Sequence, residues 1–412
     1  MPEPKRPTPR LRFPEFRDAE PWAKTTIGEI GKFYYGKSAP KWSLDDDAPT
    51  PCVRYGELYT KFGPIITQTY SRTNIDPTKL RFSKGGEILV PRVGEKPDDF
   101  GKCCCFLPLK GVAIGEMISA FETKQNPVFY TYYFRTLYKE FAKVVEGQNV
   151  KNLYYAELEP LTIFRPSPPE QQKIGDCLTS LDDLIRAEEE AVEALRAHKT
   201  GLMQQLFPRA GETIPRLRFP EFRDAGPWEV KRLGEVCDVN PSSGERPPSF
   251  VYIDLESVEA GELIQKKTIS RENAPSRAQR LLQKGDVIYQ MVRPYQRNNL
   301  FFDIHDGKSY VASTGYALLR AKQSSAFLYH LVHTVPFTDS VLEKCTGSNY
   351  PAISSSDLAG IRVAIPSHLE QQKIADCLTS LDDLIRAREA RLDALRAHKT
   401  GLMQQLFPQE VG

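Results

Sequence analysis

Apolar residues recur at spacings of three, four and seven along one late segment of the chain: Ile174, Leu178, Leu181, Ile185, Val192, Leu195, Leu202 and Leu206. This is one stripe of a long amphipathic helix with coiled-coil character, sustained for about five heptads. Pro166-Ser167-Pro168-Pro169-Glu170 reads as its start. Ser167 is placed to cap, Pro168 suits the first helical position, and Glu170 completes an S-x-x-E capping box. Gly201 is a point where the helix can bend, and Phe207-Pro208 ends it. The same stripe returns at Ile374, Leu378, Leu381, Ile385 and Leu395, behind Ser367 and Glu370. At 1.5 Å per residue each helix reaches about 55–60 Å. Two such helices are expected to pack on each other, with these isoleucines and leucines as the seam.

The return of the stripe is part of a duplication. Residues 170–208 and 370–408 agree at 33 of 39 positions. Residues 10–22 (RLRFPEFRDAEPW) and 216–228 (RLRFPEFRDAGPW) differ only at Glu20 against Gly226. The offsets are 200 and 206 residues, too long for a solenoid repeat, so this is a tandem domain duplication. If a pseudo-twofold relates the halves, the helices run antiparallel and their midpoints meet. Glu188-Glu189-Glu190-Ala191 then faces Arg388-Glu389-Ala390-Arg391, and the Glu/Arg exchange replaces like-charge repulsion with pairing that sets register. The duplicated segments at 10–22 and 216–228 are expected beside the opposite half's helix. Residues 1–9 and 209–215 read alternatively as linkers.

The middles hardly resemble each other beyond a skeleton. Gly86-Glu87-Ile88-Leu89 answers Gly285-Asp286-Val287-Ile288, and Gly147-x-Asn149 answers Gly347-x-Asn349. Strands are expected over 86–93, 103–109 and 112–114, then a helix rich in aromatic residues over 126–146. In the second middle, strands are expected over 250–253, 286–292 and 310–319, with a helix at 325–333 that Pro336 interrupts. The predicted class is α+β: two domains of mixed, mainly antiparallel sheet with helices, separated by two long antiparallel helices in a coiled coil. The divisions are 10–30 (first repeat), 31–165 (first domain), 167–207 (central helix), 208–236 (linker and second repeat), 237–365 (second domain) and 367–407 (C-terminal helix).

Composition narrows this little. Across 412 residues, 55 basic and 53 acidic side chains leave +2, which argues against a polycation coating nucleic acid or membrane. It leaves room for local basic grooves. Residues 31–165 carry 19 basic against 15 acidic, and 237–365 carry 14 against 13. No apolar run is long enough to span a bilayer and the N-terminus is no secretory signal, so a cytoplasmic protein without membrane contact is expected. The eight cysteines form no CxxC pair. Cys103-Cys104-Cys105, alternating faces on a strand, read as buried free thiols, not a metal site.

Candidate chemistry lies in the loops after the central strands. Arg92, Lys96 and Lys102 follow the first domain's strand. Arg293-Pro294-Tyr295-Gln296-Arg297-Asn298-Asn299 follows the matching strand in the second. Arg, Gln and Asn are the side chains that read guanine and adenine edges in the major groove. Lys266, Lys267, Arg271, Arg277, Arg280 and Lys284 are candidates for holding phosphates. Catalytic motifs fail their context. Residues 31–38 match G-x-x-x-x-G-K-[ST], but Phe33, Tyr34 and Tyr35 are too bulky for a phosphate loop, and Ala39-Pro40 stands where a helix must start. Asn126-Pro127-Val128-Phe129 lacks the second proline of the amino-methyltransferase motif, and no glycine-rich cofactor loop accompanies it. The segment Pro97–Lys102 lacks the acid two residues before its lysine that a nuclease core requires. The sequence therefore argues for recognition without chemistry, with no catalytic, cofactor-binding or metal-ligating residues.

Taken together, the proline-bounded EQQKI-x-x-CL-x-x-LDDLI helix starts at Glu170 and Glu370, the segment Gly36-Lys37-Ser38-Ala39-Pro40, and Gly347-Ser348-Asn349-Tyr350-Pro351 followed by Asp357-Leu358 resemble the DNA specificity subunit of type I restriction–modification systems. The first half's Gly147-Gln148-Asn149 segment departs from that pattern. The resemblance covers nearly the whole chain. It implies two target recognition domains, each reading one half of a split, asymmetric site in double-stranded DNA, with the helix pair setting the unread spacer. It also implies two methyltransferase subunits docked on the frame, joined by translocase–nuclease subunits. S-adenosylmethionine, ATP and magnesium belong to those partners, none to this chain. A coiled-coil scaffold that reads no DNA, and a stand-alone DNA adenine methyltransferase, are the alternatives. The scaffold has no need of two divergent middles of matched size, and the methyltransferase needs motifs that are missing.

Overall fold

The structure is a computed structural model that describes residues 8–37, 39–242, 244–347 and 349–408. The chain forms two compact units, Met1–Glu188 with Arg391–Gly412, and Glu189–Ala390. Each unit thus contains part of both long helices, Pro168–Leu206 and His368–Leu406.

In the first unit, a four-stranded antiparallel sheet runs in the order Gly31–Tyr35, Ile118–Thr123, Glu87–Pro91, Cys105–Leu107. A three-stranded sheet orders Ser71–Thr73, Thr50–Val53 and Ala113–Ile114, the last pair parallel. Ala23–Thr26 pairs antiparallel with Thr162–Arg165 and ties the start of the domain to its end. The second unit repeats this plan. One sheet runs Cys237–Val239, Tyr316–Ala321, Val287–Gln290, Leu300–Phe301, and the other Lys267–Ser270, Ser249–Ile253, Tyr310–Ser313, Ala278–Leu281, with one parallel pair. Glu229–Arg232 pairs with Arg362–Ile365 as the closing tie. Two middles with little sequence in common share one topology because the skeleton does local work. Glu87 is fully buried and takes the N–H groups of its own turn at Gly85 and Gly86, both at 3.0 Å. Asp286 likewise takes Gln283 N–H at 2.7 Å and a bidentate contact from Arg320 at 2.8 Å.

Several expectations are corrected. The helix over 126–146 is two helices, Pro127–Thr136 and Tyr138–Lys143, joined at Leu137. The strand over 310–319 is two strands, because Thr314-Gly315 turns the chain between them. Pro336 opens a further helix, Val335–Glu343: at a first-turn position its missing N–H costs nothing. Of the three contiguous cysteines only Cys105 lies in a strand, since Cys103 terminates the helix Pro97–Lys102; all three are free. Gly31–Tyr35, the centre of the phosphate-loop match, is a strand, and Ser38 lies outside the described residues, as do Ser348 and residues 1–7. Among the described residues no helix is long and apolar enough to cross a membrane.

The helix starts also differ from the capping-box expectation. Ser367 does cap, its Oγ accepting Glu370 N–H at 3.4 Å, but the Glu170 and Glu370 carboxylates accept bidentate contacts from Arg12 and Arg218 in place of their own N-cap N–H groups. The arginine is the stronger partner, because a guanidinium fork matches a carboxylate. Each duplicated segment therefore holds the helix start of its own half. It also touches the other half's helix end, with Leu11 N–H donating to Gln405 O at 3.0 Å in the first unit and Leu217 N–H to Gln205 O at 3.0 Å in the second.

Within each unit the long helices are antiparallel. Lys399 meets Asp182, and Arg391 lies 3.9 Å from Glu188, in the first unit. Lys199 meets Asp382, and Arg196 lies 2.5 Å from Glu389, in the second. Ile174, Leu178, Ile185, Ile374, Leu378 and Ile385 are buried, whereas Leu181, Leu195, Leu381 and Leu395 are only half-buried. The difference is positional. Ile174 and Leu178 join the domain core around Trp22, Phe129 and Tyr133, where Phe407 stacks 5.2 Å from Tyr133. Ile374 and Leu378 do the same around Trp228 and Phe327. The half-buried leucines belong to neither of these two cores.

Candidate nucleic-acid interface

In the second unit, the strand Val287–Gln290 delivers the chain to the loop of residues 291–299. Arg293 and Arg297 both adopt left-handed backbone, φ 54° and 55°, on either side of a single 3-10 turn, Pro294–Gln296. Such φ values are uncommon for non-glycine residues and persist only where the surroundings enforce them. Here Arg293 N–H donates to Pro351 O at 2.7 Å, and Val292 bridges to Ala352, so the loop is tied to the Gly347 segment. The Arg293 guanidinium lies 4.3 Å from the ring centre of Tyr350, which is 64% exposed. Tyr295 is 52% exposed beside it.

Behind the loop stand three polar side chains. Gln290 Oε1 accepts Asn298 N–H at 3.1 Å, and Gln290 Nε2 donates to Gln296 Oε1 at 2.8 Å. Asn299 Oδ1 accepts Gln290 N–H at 2.8 Å. Asn299 Nδ2 lies 3.3 Å from His333 Nε2, whose ring Nδ1 is 2.7 Å from Tyr329 O. Burial pushes the His333 imidazole down to about 4, so it is neutral near neutral pH. Asn298 Oδ1 accepts Ala260 N–H at 3.3 Å from the tip of the hairpin Val258–Glu259/Glu262–Leu263. That tip needs Gly261: its φ is 87°, and a side chain there meets the Tyr329 hydroxyl at 2.6 Å.

In the first unit the matching strand, Glu87–Pro91, leads to Arg92. Its guanidinium is held between two rings, 4.6 Å from Tyr35 and 5.4 Å from Tyr154, and its Nε has no hydrogen-bond partner among the described residues. Lys96 precedes the helix Pro97–Lys102 and is exposed. Lys102 reaches Asp98 at 3.6 Å and the Tyr138 ring at 4.5 Å. The two loops share a plan, an arginine on an aromatic ring beside the Gly-x-Asn segment, with different side chains around it.

The phosphate candidates divide. Arg271 is paired with Glu245, and Lys284 lies 3.4 Å from Asp303. Arg280 is half-buried, and burial lowers its pKa. Lys266, Lys267 and Arg277 are exposed. Sequence reasoning placed Asn299 in the candidate loop but passed over Gln290 and His333 as functional residues, although an amide within the apolar run Val287–Gln290 was a visible signal. It also passed over Trp42, 77% exposed on the first unit. Among the described residues no cluster of three His, Cys, Asp or Glu side chains is placed to hold a metal ion.

Comparison with known proteins gives a consistent picture. Residues 19–196 and 226–397 each match the family model described as type I restriction modification DNA specificity domain. The chain is 22% identical over 415 residues to the type I restriction enzyme MjaVIII specificity subunit of Methanocaldococcus jannaschii, covering 95% of this chain and 93% of that one. It is 28% identical over 169 residues to the HindI specificity subunit of Haemophilus influenzae, 38% and 36% of the two chains. In fold it is similar to the crystal structure of a type I restriction–modification S subunit from M. genitalium. The TM-score is 0.63 at 15% identity, with 98% and 100% of the two chains covered.

Proposed function

The chain belongs to the type I restriction–modification DNA specificity family, and on that premise we propose that it is the subunit that selects the DNA sequence for such a complex. Each of its two domains reads one half of a bipartite, asymmetric site, and the long helices set the unread spacer. One observation carries this reading. Two units whose central four-stranded sheets have the same strand order end the matching strands in loops of different chemistry, Arg92 to Lys102 in one and Arg293 to Asn299 in the other. A shared frame with unlike reading loops is what an asymmetric site requires. Docking geometry favours readers about one helical turn apart, roughly 34 Å or multiples of it.

In this proposal the chemistry resides in partner subunits. Two methyltransferase subunits bind the near-identical helical frames and carry S-adenosylmethionine. Translocase–nuclease subunits join them and carry ATP and magnesium. The test is selection from random-sequence duplex DNA by the full chain with its methyltransferase subunits, followed by sequencing. An enriched motif of two unlike halves separated by a fixed gap is expected. Recovery of DNA without any motif overturns the proposal.

A further inference from the structure

The hydrogen bonds behind the 293–299 loop have only one consistent set of directions, because backbone groups anchor both ends. Asn298 N–H can only donate, so Gln290 presents its carbonyl oxygen to it and its amide NH2 to Gln296. The atom of Gln296 that meets that NH2 must be its carbonyl oxygen. Gln290 N–H can only donate, so Asn299 turns its carbonyl oxygen there and its NH2 toward His333. Tyr329 O can only accept, so the His333 proton sits on Nδ1 and Nε2 receives Asn299. Ala260 N–H likewise claims the carbonyl of Asn298. Nothing in this chain of bonds is free to flip without setting donor against donor.

The consequence is on the outer side of the loop. Gln296 and Asn298 both turn their carbonyl oxygens to protein donors, and their NH2 groups make no hydrogen bond among the described residues. The guanidinium groups of Arg293 and Arg297 carry no ion pair among the described residues, in a chain where Arg12, Arg218, Arg271 and Arg320 are all paired with carboxylates. Four side chains within six residues therefore offer donors. We propose that this loop is a preset donor-only reading surface, and that the half-site taken by the second domain contains guanine under it. Guanine shows two acceptors, N7 and O6, side by side on its major-groove edge, whereas thymine shows one acceptor beside a methyl group, cytosine a donor and adenine one of each. Gln290, Asn299 and His333 are positioning residues in this scheme: they touch no base and fix which end of each amide faces out.

The inference rests on the DNA-reading proposal, and its test separates the two. The full chain with its methyltransferase subunits selects from random-sequence duplex, comparing the native protein with Gln296→Glu and Gln290→Met. Gln296→Glu keeps the shape and the bond from Gln290 but exchanges the outward donor for an acceptor. Preference for guanine at one position of the second half-site is expected to fall about tenfold or more, with cytosine or adenine gaining. Gln290→Met leaves the loop residues untouched and frees the Gln296 amide to turn. Discrimination at that same position is expected to relax while the first half-site stays unchanged, and a thermal melt checks that the variant folds. A bipartite motif whose second half lacks guanine, or variants that lose affinity uniformly with unaltered base preference, overturns the donor-only inference and leaves DNA reading intact. Absence of any motif overturns both.

Discussion

Arg12 closes a buried bidentate ion pair on Glu170, Nε to Oε1 at 2.8 Å and Nη2 to Oε2 at 2.7 Å, and so fastens a segment near the N-terminus to a helix start 158 residues later. The side chains are 5% and 2% exposed. The guanidinium also donates to the carbonyls of Ala19 and Glu20, so four of its five N–H donors are used. Arg218 and Glu370 repeat the arrangement at 2.8 and 2.6 Å. Arg12→Met strands a carboxylate in the core and is expected to cost about 3–5 kcal/mol. Arg12→Met with Glu170→Met is expected to cost less than Arg12→Met alone, because the orphaned charge is gone. Urea unfolding followed by tryptophan fluorescence measures both; a double variant less stable than the single refutes the account.

Glu188 and Arg391 meet across the helix pair of the first unit at 3.9 Å, with the carboxylate 5% and the guanidinium 58% exposed. Arg391→Glu sets two carboxylates against each other and is expected to lower stability by about 1 kcal/mol. Adding Glu188→Arg restores opposite charges and is expected to recover part of the loss. A thermal midpoint for the double variant no higher than that of the single variant removes this pair as a register device.

His330 and His333 make stability depend on pH. Burial lowers both pKa values, His333 to about 4 against an ordinary 6.5, and Lys199 nearby pushes each the same way. Arg297 lowers His333 further, while its bond to Tyr329 O and the Asp382 carboxylate oppose the shift. As pH falls through about 6.5 the unfolded chain binds protons that the folded chain does not, so stability declines from there toward about 4. Between pH 6.5 and 5 the loss is expected to be about 1.5 kcal/mol for His333 alone, and His330 adds a loss of the same sign. Denaturant unfolding across this range checks it: His330→Gln with His333→Gln flattens the dependence, and an unchanged slope refutes the assignment.

Lys266 and Lys267 are exposed on and beside the edge strand Lys267–Ser270. If they hold phosphates, Lys266→Ala with Lys267→Ala weakens binding to every DNA sequence alike. The slope of log affinity against log salt is then expected to fall by roughly 2, since each phosphate contact contributes about 0.9. Titrations of specific and non-specific duplex at several salt concentrations read this. A loss confined to the specific site moves these lysines from phosphate contact to base reading.

The duplication, the two long helices and the unsuitability of residues 31–35 for a phosphate loop were legible in the sequence. Each depends on local pattern: the spacing of Ile174, Leu178 and Ile185, the near-identity of 170–208 and 370–408, the bulk of Phe33, Tyr34 and Tyr35. The Glu170 and Glu370 contacts were misread as capping boxes because the local rule is sound but weaker than a buried guanidinium arriving from 158 residues away. The seam residues differ in depth for a similar reason. Periodicity states which face is apolar, not what covers it, and Leu181 and Leu195 lack the aromatic core that encloses Ile174 and Leu178.

What the sequence by itself determined is the frame: a tandem pair of α+β domains with unlike middles, each closed by an amphipathic helix. Periodicity and repetition carry that information along the chain. What only the tertiary structure decided is the hydrogen-bond direction of the amides in and behind the 293–299 loop. Residues 293–299 were a candidate loop in the sequence, but the groups that meet Gln296, Asn298 and Asn299 come from a strand (Gln290), the turn after a helix (His333) and a hairpin tip (Ala260). An amide is a donor at one end and an acceptor at the other. Its direction is set by the fixed backbone groups that meet it, and those are brought together only by the fold.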